Sequence, residues 1–248
     1  MINRIHILNT NIDNLSMTET LRLVSDAIEK QKHIHHTVVN AGKIVAMQTD
    51  VTLRKSVNEA DIINADGQAV IWAAKLLDKP LKERVAGIDL FENLIAHAHK
   101  HKYKFYLLGA KQEVVERLVT IISEKYNPNI IAGYRNGYFT TAEEPQIVEE
   151  ITQSNANMLF VAMSSPKKEI FLHQYRNQLQ KLNFIMGVGG SFDVLAGKTK
   201  RAPLWMQKTG LEWFYRFIQE PKRMWKRYLI GNSKFIALVF REKFSKNK

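Results

Sequence analysis

The sequence predicts an α/β protein: a mainly parallel sheet flanked by helices, with a basic, aromatic and helical appendage at its C-terminal end. Three observations lead there. Short apolar runs alternate with helical patterns of about 10–15 residues, as βαβ units require. Several of those runs end in Asn, Asp-Gly, Gly or Ser-Ser, where the carboxyl ends of parallel strands open on a ligand crevice. Most of the net charge of +12 falls in one stretch, since residues 195–248 hold 14 Lys and Arg against 3 Asp and Glu. The rest of the chain is close to neutral.

The elements follow in order. Ser16-Met17-Thr18-Glu19 reads as a capping box, and Leu21, Val24 and Ile28 form a helical stripe behind it. Strands are expected at 37–41, 61–65, 104–108, 129–132, 158–163 and 184–188. Helices are expected at 90–101, 113–126, 144–153 and 167–179. At Ala202-Pro203 the alternation stops, and Pro221 and Gly231-Asn232 divide the remainder into about three helices carrying Trp205, Trp213 and Trp225. The expected division is a catalytic core over 1–198 and an appendage over 199–248. Hydrophobic residues make up 45% of the chain, ample for a core of this size.

Several classes are excluded or disfavoured. There is no cysteine, so neither a disulfide framework nor a thiolate metal site exists. The start has no long apolar h-region, and no stretch reaches 18 uninterrupted apolar residues, which predicts a cytoplasmic protein with no membrane span. His97 and His101 share a helical face, but the Glu of an H-E-x-x-H motif is missing and there is no Asp-x-Asp. No metal or cofactor is expected. His33, His35 and His36 read as solvated loop residues.

Three constellations are candidates for chemistry. Asp66-Gly67 closes a strand, so Asp66 is either a general base facing the crevice or the cap of the next helix, the commoner role for Asp. Arg84 precedes Gly87 and a helix that Asp89 would cap; an Arg there clamps a phosphate, or simply pairs with a surface carboxylate. Gly187, Gly189 and Gly190 follow a strand and open a helix, where backbone N–H groups approach a phosphate. Phe192 breaks the dinucleotide G-x-G-x-x-G pattern, and a plain tight turn fits as well.

The appendage admits nucleic-acid binding, an interfacial membrane anchor, or packing against the core. Six aromatic or large aliphatic residues within 211–218 favour burial in lipid or protein over base stacking.

Taken together, Asn40, Asp66-Gly67, Arg84-x-x-Gly87-x-Asp89, Leu108-Gly109, Gly133-x-x-x-Gly137-Tyr138, Pro166-Lys167-Lys168-Glu169, Gly187-Val188-Gly189-Gly190-x-Phe192-Asp193, Arg201-Ala202-Pro203-x-Trp205, Gly210-Leu211-Glu212-Trp213-Phe214-Tyr215-Arg216, Glu220-Pro221-x-Arg223 and Arg227-Tyr228 resemble the WecG/TagA/CpsF glycosyltransferase family. The resemblance spans nearly the whole chain. It implies a Rossmann-like core that binds a UDP-sugar without a required metal. It also implies inverting transfer to a polyprenyl-diphosphate-linked saccharide, at the cytoplasmic face of the plasma membrane, by a peripheral enzyme whose appendage docks on anionic lipid and completes the site.

By the same resemblance Asp66 is the base and Arg84 the active-site arginine. Arg84, the 187–190 backbone and Arg216 or Arg223 would stabilise the leaving UDP. Asn40, Gly67, Asp89, Lys168 and Glu169 would line the substrate site, and Tyr138 and Asp193 would touch the nucleotide. The expected donor is UDP-N-acetylmannosamine, with another hexose or a uronic acid as the alternative. Nucleic acid is not an expected partner, and a homo-oligomer is left open. A basic nucleic-acid-binding module and a non-catalytic nucleotide-sugar sensor are the rival readings; the first leaves Asp66, Arg84 and the glycine turn without roles. Three departures from the family pattern border the expected sugar site: Lys168 where Gln is usual, Val38 where Thr is common, and Ser164-Ser165 in place of a glycine-rich approach.

Overall fold

In the computed structural model, residues 2–225 and 229–245 are described, without the side chains of Lys208 and Arg223. The chain opens with an antiparallel hairpin of β1 (Arg4–Ile7) and β2 (Thr10–Asp13), absent from the sequence-based expectation. Leu8 and Asn9 form its turn with φ of 49° and 57°, a two-residue geometry whose twist suits a hairpin. Arg4 grips Asp13 in bidentate fashion (Nε–Oδ1 2.7 Å, Nη2–Oδ2 2.9 Å), and Asp13 also accepts the Ile63 N–H at 2.7 Å, which ties the hairpin to the main sheet.

Helix α1 (Met17–Glu29) begins at the expected capping box: Ser16 Oγ accepts the Glu19 N–H, and Glu19 accepts the Ser16 N–H in return. Then follow β3 (Ile34–Val39), α2 (Ala41–Met47), α3 (Val51–Asn58), β4 (Ile62–Ala65), α4 (Gln68–Leu76), α5 (Gly87–His101), β5 (Phe105–Gly109), α6 (Gln112–Lys125), β6 (Ile131–Arg135), α7 (Glu144–Gln153), β7 (Met158–Ala162), α8 (Lys167–Gln174), β8 (Phe184–Gly187) and α9 (Ser191–Leu195). The six main strands lie parallel in the order β4-β3-β8-β7-β5-β6. Helices cover both faces, so β5, β7 and β8 are buried along their whole length and read as unbroken apolar runs. One face packs Phe91, Phe105, Phe160, Phe184 and Phe192 together with α1, α5, α6 and α9; the other is filled from α7 and α8.

Two expectations are corrected on β3. The strand starts at Ile34 and stops at Val39, because Asn40 caps α2 by accepting the Lys43 N–H at 3.0 Å. His35 and His36, expected in a solvated loop, are buried in that strand. His36 Nε2 lies 2.9 Å from Asn64 Oδ1, a partner on the neighbouring strand that makes a neutral imidazole tolerable in the core.

The C-terminal segment forms α10 (Leu204–Lys208), α11 (Glu212–Gln219), α12 (Pro221–Trp225) and α13 (Gly231–Ser245). Helix α13 folds back onto the core. Phe235 and Val239 are buried in one apolar cluster with Ile7, Leu8, Ile44 and Met47, and Glu242 accepts the Leu8 N–H at 2.6 Å.

Candidate active site

Because the six strands are parallel, their carboxyl ends share one edge. Asn40 follows β3, Asp66 follows β4, Ser164 lies just past β7, and Gly187 ends β8 with residues 188–190 after it on that edge.

The Asp66 N–H donates to the Val39 carbonyl at 2.7 Å, which holds the residue in line with β3. Gly67, with φ of 130°, occupies the cap position of α4, and no side chain caps that helix. The capping role therefore does not apply to Asp66. Burial pushes its carboxyl above the ordinary range; Glu212 adds to the effect, and Arg84, Arg216 and Lys43 oppose it.

Arg84 is 16% exposed and is no surface residue. Its Nη1 lies 3.2 Å from Glu212 on α11 and its Nη2 3.8 Å from Asp89. Arg201, which precedes α10, places Nη2 2.6 Å from Asp89, Nη1 3.6 Å from Glu92 and Nε 3.7 Å from Glu212. Arg216 approaches Glu212 at 3.8 Å. Asp89 does not cap α5 as expected: Ala86 holds that position, and Asp89 lies in the first turn with its carboxylate between two arginines.

A second buried group lies beneath the glycine turn. Glu169 Oε1 forms ion pairs with both Lys43 Nζ (2.7 Å) and Lys168 Nζ (2.6 Å), and Lys43 donates to the Val38 carbonyl at 2.6 Å. Burial alone would raise the Glu169 carboxyl; the two ammonium groups outweigh it and hold it at about 2. The stem of Lys168 runs directly under the turn, since a Cβ on Gly187 would stand 3.0 Å from Lys168 Cδ. Lys168 thus packs against the 187–190 turn.

The sequence-predicted residues therefore fall into two neighbouring groups at the strand ends, Asn40, Asp66, Gly67, Arg84, Asp89 and Arg216 in one, and Lys168, Glu169, Gly187, Gly189 and Gly190 in the other. The rest lie apart. Tyr138 is 72% exposed beyond β6, the far edge of the sheet from β4, although Gly137 before it donates to Ala110 at the end of β5. Asp193 pairs with Lys198 at 3.6 Å. The side chain of Arg223, and Arg227-Tyr228, lie outside the described residues. Ser164 and Ser165 are exposed at the crevice edge. Val38 is buried, with its Cγ2 3.5 Å from where a Cβ of Gly87 would stand and its carbonyl accepting from Lys43 Nζ at 2.6 Å.

Three participants were missed in the sequence. Arg201 and Glu212 sit inside blocks that were noticed, yet nothing local assigns them partners; Lys43 carries no motif. Among the described residues no three His, Asp or Glu side chains converge as a metal set, and no helix is long and apolar enough to cross a membrane.

Residues 5–248 match the model of the glycosyl transferase WecG/TagA/CpsF family. The chain is 41% identical over 192 residues, 77% of its length and 72% of the relative's, to an N-acetylglucosaminyldiphosphoundecaprenol N-acetyl-beta-D-mannosaminyltransferase of Bacillus subtilis (strain 168). It is 35% identical over 184 residues to the protein of that name from Bacillus spizizenii (strain ATCC 23059 / NRRL B-14472 / W23), covering 74% of this chain and 70% of the relative. With the Staphylococcus aureus (strain MW2) protein of that name, identity is 33% over 247 residues, 99% of this chain and 93% of the relative.

Proposed function

We propose a specific reaction for this chain, which belongs to the WecG/TagA/CpsF glycosyltransferase family: transfer of N-acetylmannosamine from its UDP derivative to N-acetylglucosaminyl-diphospho-undecaprenol. The donor sugar and acceptor follow the activity that the relatives are named for. Their β product, from a donor with an α-linked diphosphate, requires inversion at the anomeric carbon. A single in-line displacement achieves that. The acceptor hydroxyl gives its proton to Asp66 as its oxygen bonds to the anomeric carbon, and the bond from that carbon to the UDP oxygen breaks.

The observation that carries this reading is the state of Asp66: a carboxylate at a strand end, free of capping duty and raised in proton affinity by burial. A base so tuned accepts a proton more readily than an exposed Asp. Charge developing on the leaving diphosphate falls to Arg84 and Arg216 and to the backbone N–H groups of the 187–190 turn. Lys168 supports that turn from below.

The enzyme works peripherally at the cytoplasmic face of the plasma membrane, where its lipid-linked acceptor resides. The basic C-terminal segment supplies the attraction to anionic lipid, and exposed Trp205, Phe214, Ile218, Trp225 and Phe240 supply the apolar contact.

The test is incubation of the full chain with UDP-N-acetylmannosamine and the lipid-linked N-acetylglucosamine acceptor, with UDP-glucose and UDP-glucuronic acid in parallel. A disaccharide lipid of the N-acetylmannosamine mass is expected. Product only with another donor overturns the sugar assignment; no product with any donor overturns the reaction.

A further inference from the structure

We propose that Glu212 is a positioning residue for this reaction: from the C-terminal segment its carboxylate aims the Arg84 guanidinium and sets the local charge against which Asp66 accepts its proton. The inference rests on Asp66 being the base.

The geometry is a closed ring of alternating charge. Arg84 and Arg201 each stand between the same two carboxylates, Glu212 and Asp89, at 3.2 and 3.8 Å for Arg84 and at 3.7 and 2.6 Å for Arg201. Asp89 belongs to α5, whereas Glu212 belongs to α11, so the ring clasps the C-terminal segment to the strand ends. Three of its four members are shielded: Glu212 is 15%, Arg84 16% and Arg201 19% exposed, against 32% for Asp89. An Arg held between two fixed carboxylates in such surroundings has its fork oriented by both.

A second contact seats the same segment independently. Gly210 has φ of 76°, and a Cβ there would stand 2.8 Å from the Gln68 Cβ and 3.5 Å from Trp72 Cη2, both on α4. Only glycine allows that backbone conformation and that approach together. The contact brings the start of α11 against the helix that follows Asp66-Gly67.

The charged groups facing Asp66 are Arg84 from the loop 77–86, Lys43 from α2, and Glu212 and Arg216 from α11. Glu212 is the anionic member of this set. Its removal takes away a charge that favours proton uptake and leaves Arg84 without its nearest counter-ion, facing Asp66. Both changes weaken the base in the same direction.

The experiment compares pH profiles of kcat/KM for the full-length wild type, Glu212→Gln, Glu212→Asp and Asp66→Asn with UDP-N-acetylmannosamine and the lipid-linked acceptor. The acidic limb reports the protonation of the free enzyme's base. In Glu212→Gln the limb is expected to move to lower pH by about half a unit or more, with kcat at its plateau about tenfold lower. Glu212→Asp keeps the charge one methylene short: its limb stays with wild type while kcat falls. An unmoved limb in Glu212→Gln, or wild-type kcat in Glu212→Asp, overturns the inference. If Glu212→Gln does not fold, judged by its thermal melt, Glu212→Asp alone decides on kcat. Full activity in Asp66→Asn instead overturns the base assignment, a failure separate from that of Glu212.

Discussion

Arg84 and Glu212 are 128 positions apart in the chain, yet their side chains meet at 3.2 Å at the mouth of the crevice. The arginine lies in the loop before α5 and the glutamate on the C-terminal segment.

The base assignment makes the first prediction. Asp66→Asn is isosteric and does not disturb a helix cap, so the variant is expected to fold and to bind UDP as wild type does. Turnover falls by roughly 10²–10⁴-fold, the usual worth of general-base assistance. Single-turnover rates beside UDP binding by calorimetry check it; an unchanged rate removes Asp66 from the mechanism.

Arg84→Lys keeps the positive charge and discards the fork. A lysine reaches one carboxylate or one phosphate oxygen at a time and cannot hold Glu212, Asp89 and a diphosphate in a fixed relation. The expected loss is about 10²-fold in kcat, with a smaller change in KM for the donor. Equal activity in the lysine variant means that only charge matters here.

Acid stability separates two buried groups. Burial first, then neighbouring cations, holds His35 at about 3; burial likewise holds His36 at about 4, against the opposing contact with Asn64. Both are neutral in the fold and titrate near the ordinary 6.5 when the chain is unfolded. Their contribution is therefore fully present above pH 6.5 and is lost as pH falls from there toward 4 and 3, at up to about 1.4 kcal/mol per pH unit for each group. Glu169, held at about 2, contributes above its ordinary 4.5 and is lost only as pH falls toward 2. Urea midpoints between pH 7 and 4 are expected to fall less steeply in His36→Gln than in wild type; parallel slopes count against the histidine account.

Phe235→Ala tests how far α13 belongs to the core. The ring is buried against the hairpin and α2, so its loss costs about 3–5 kcal/mol. At about 2–4 °C per kcal/mol for a chain of this size, the melting temperature drops by roughly 6–20 °C. A much smaller drop means that α13 is loosely attached.

That prediction also shows where the sequence was legible. Five of the six sheet strands appeared within two residues of their observed starts, and the capping box at Ser16 appeared as such, because both are local patterns. Asp66 and the 187–190 turn were found for the same reason, at strand ends marked by polar residues and glycine. With all the expected strands before residue 199, the C-terminal segment read as a detachable addition; Phe235 and Val239 show that one helix of it fills the core. His35 and His36 were misplaced because polarity suggested solvent, and the Asn64 side chain that meets His36 lies 28 positions away. The clasp of Arg84, Asp89, Arg201 and Glu212 was illegible for a related reason: each charge is ordinary alone, and only the fold decides which ones meet.

The strand order bears on how the chain is made. β8 lies between β3 and β7, pairing Ile34 with Phe184 on one side and Met158 with Phe184 on the other. As the polypeptide leaves the ribosome, β3 and β4 can pair, and so can β5, β6 and β7, but nothing joins the two half-sheets until Phe184–Gly187 emerges. Ile34 waits 150 positions for Phe184, roughly 7–30 s at about 5–20 residues per second. Through that interval β3 presents an open edge, joined near its end by β7, the condition that invites mispairing or chaperone capture. Nascent chains stalled before Phe184 has cleared the exit tunnel are expected to be cut rapidly by protease, and those stalled after Gly187 has cleared it to resist. Equal protection on the two sides of that point shows that the half-sheets shield their edges without β8.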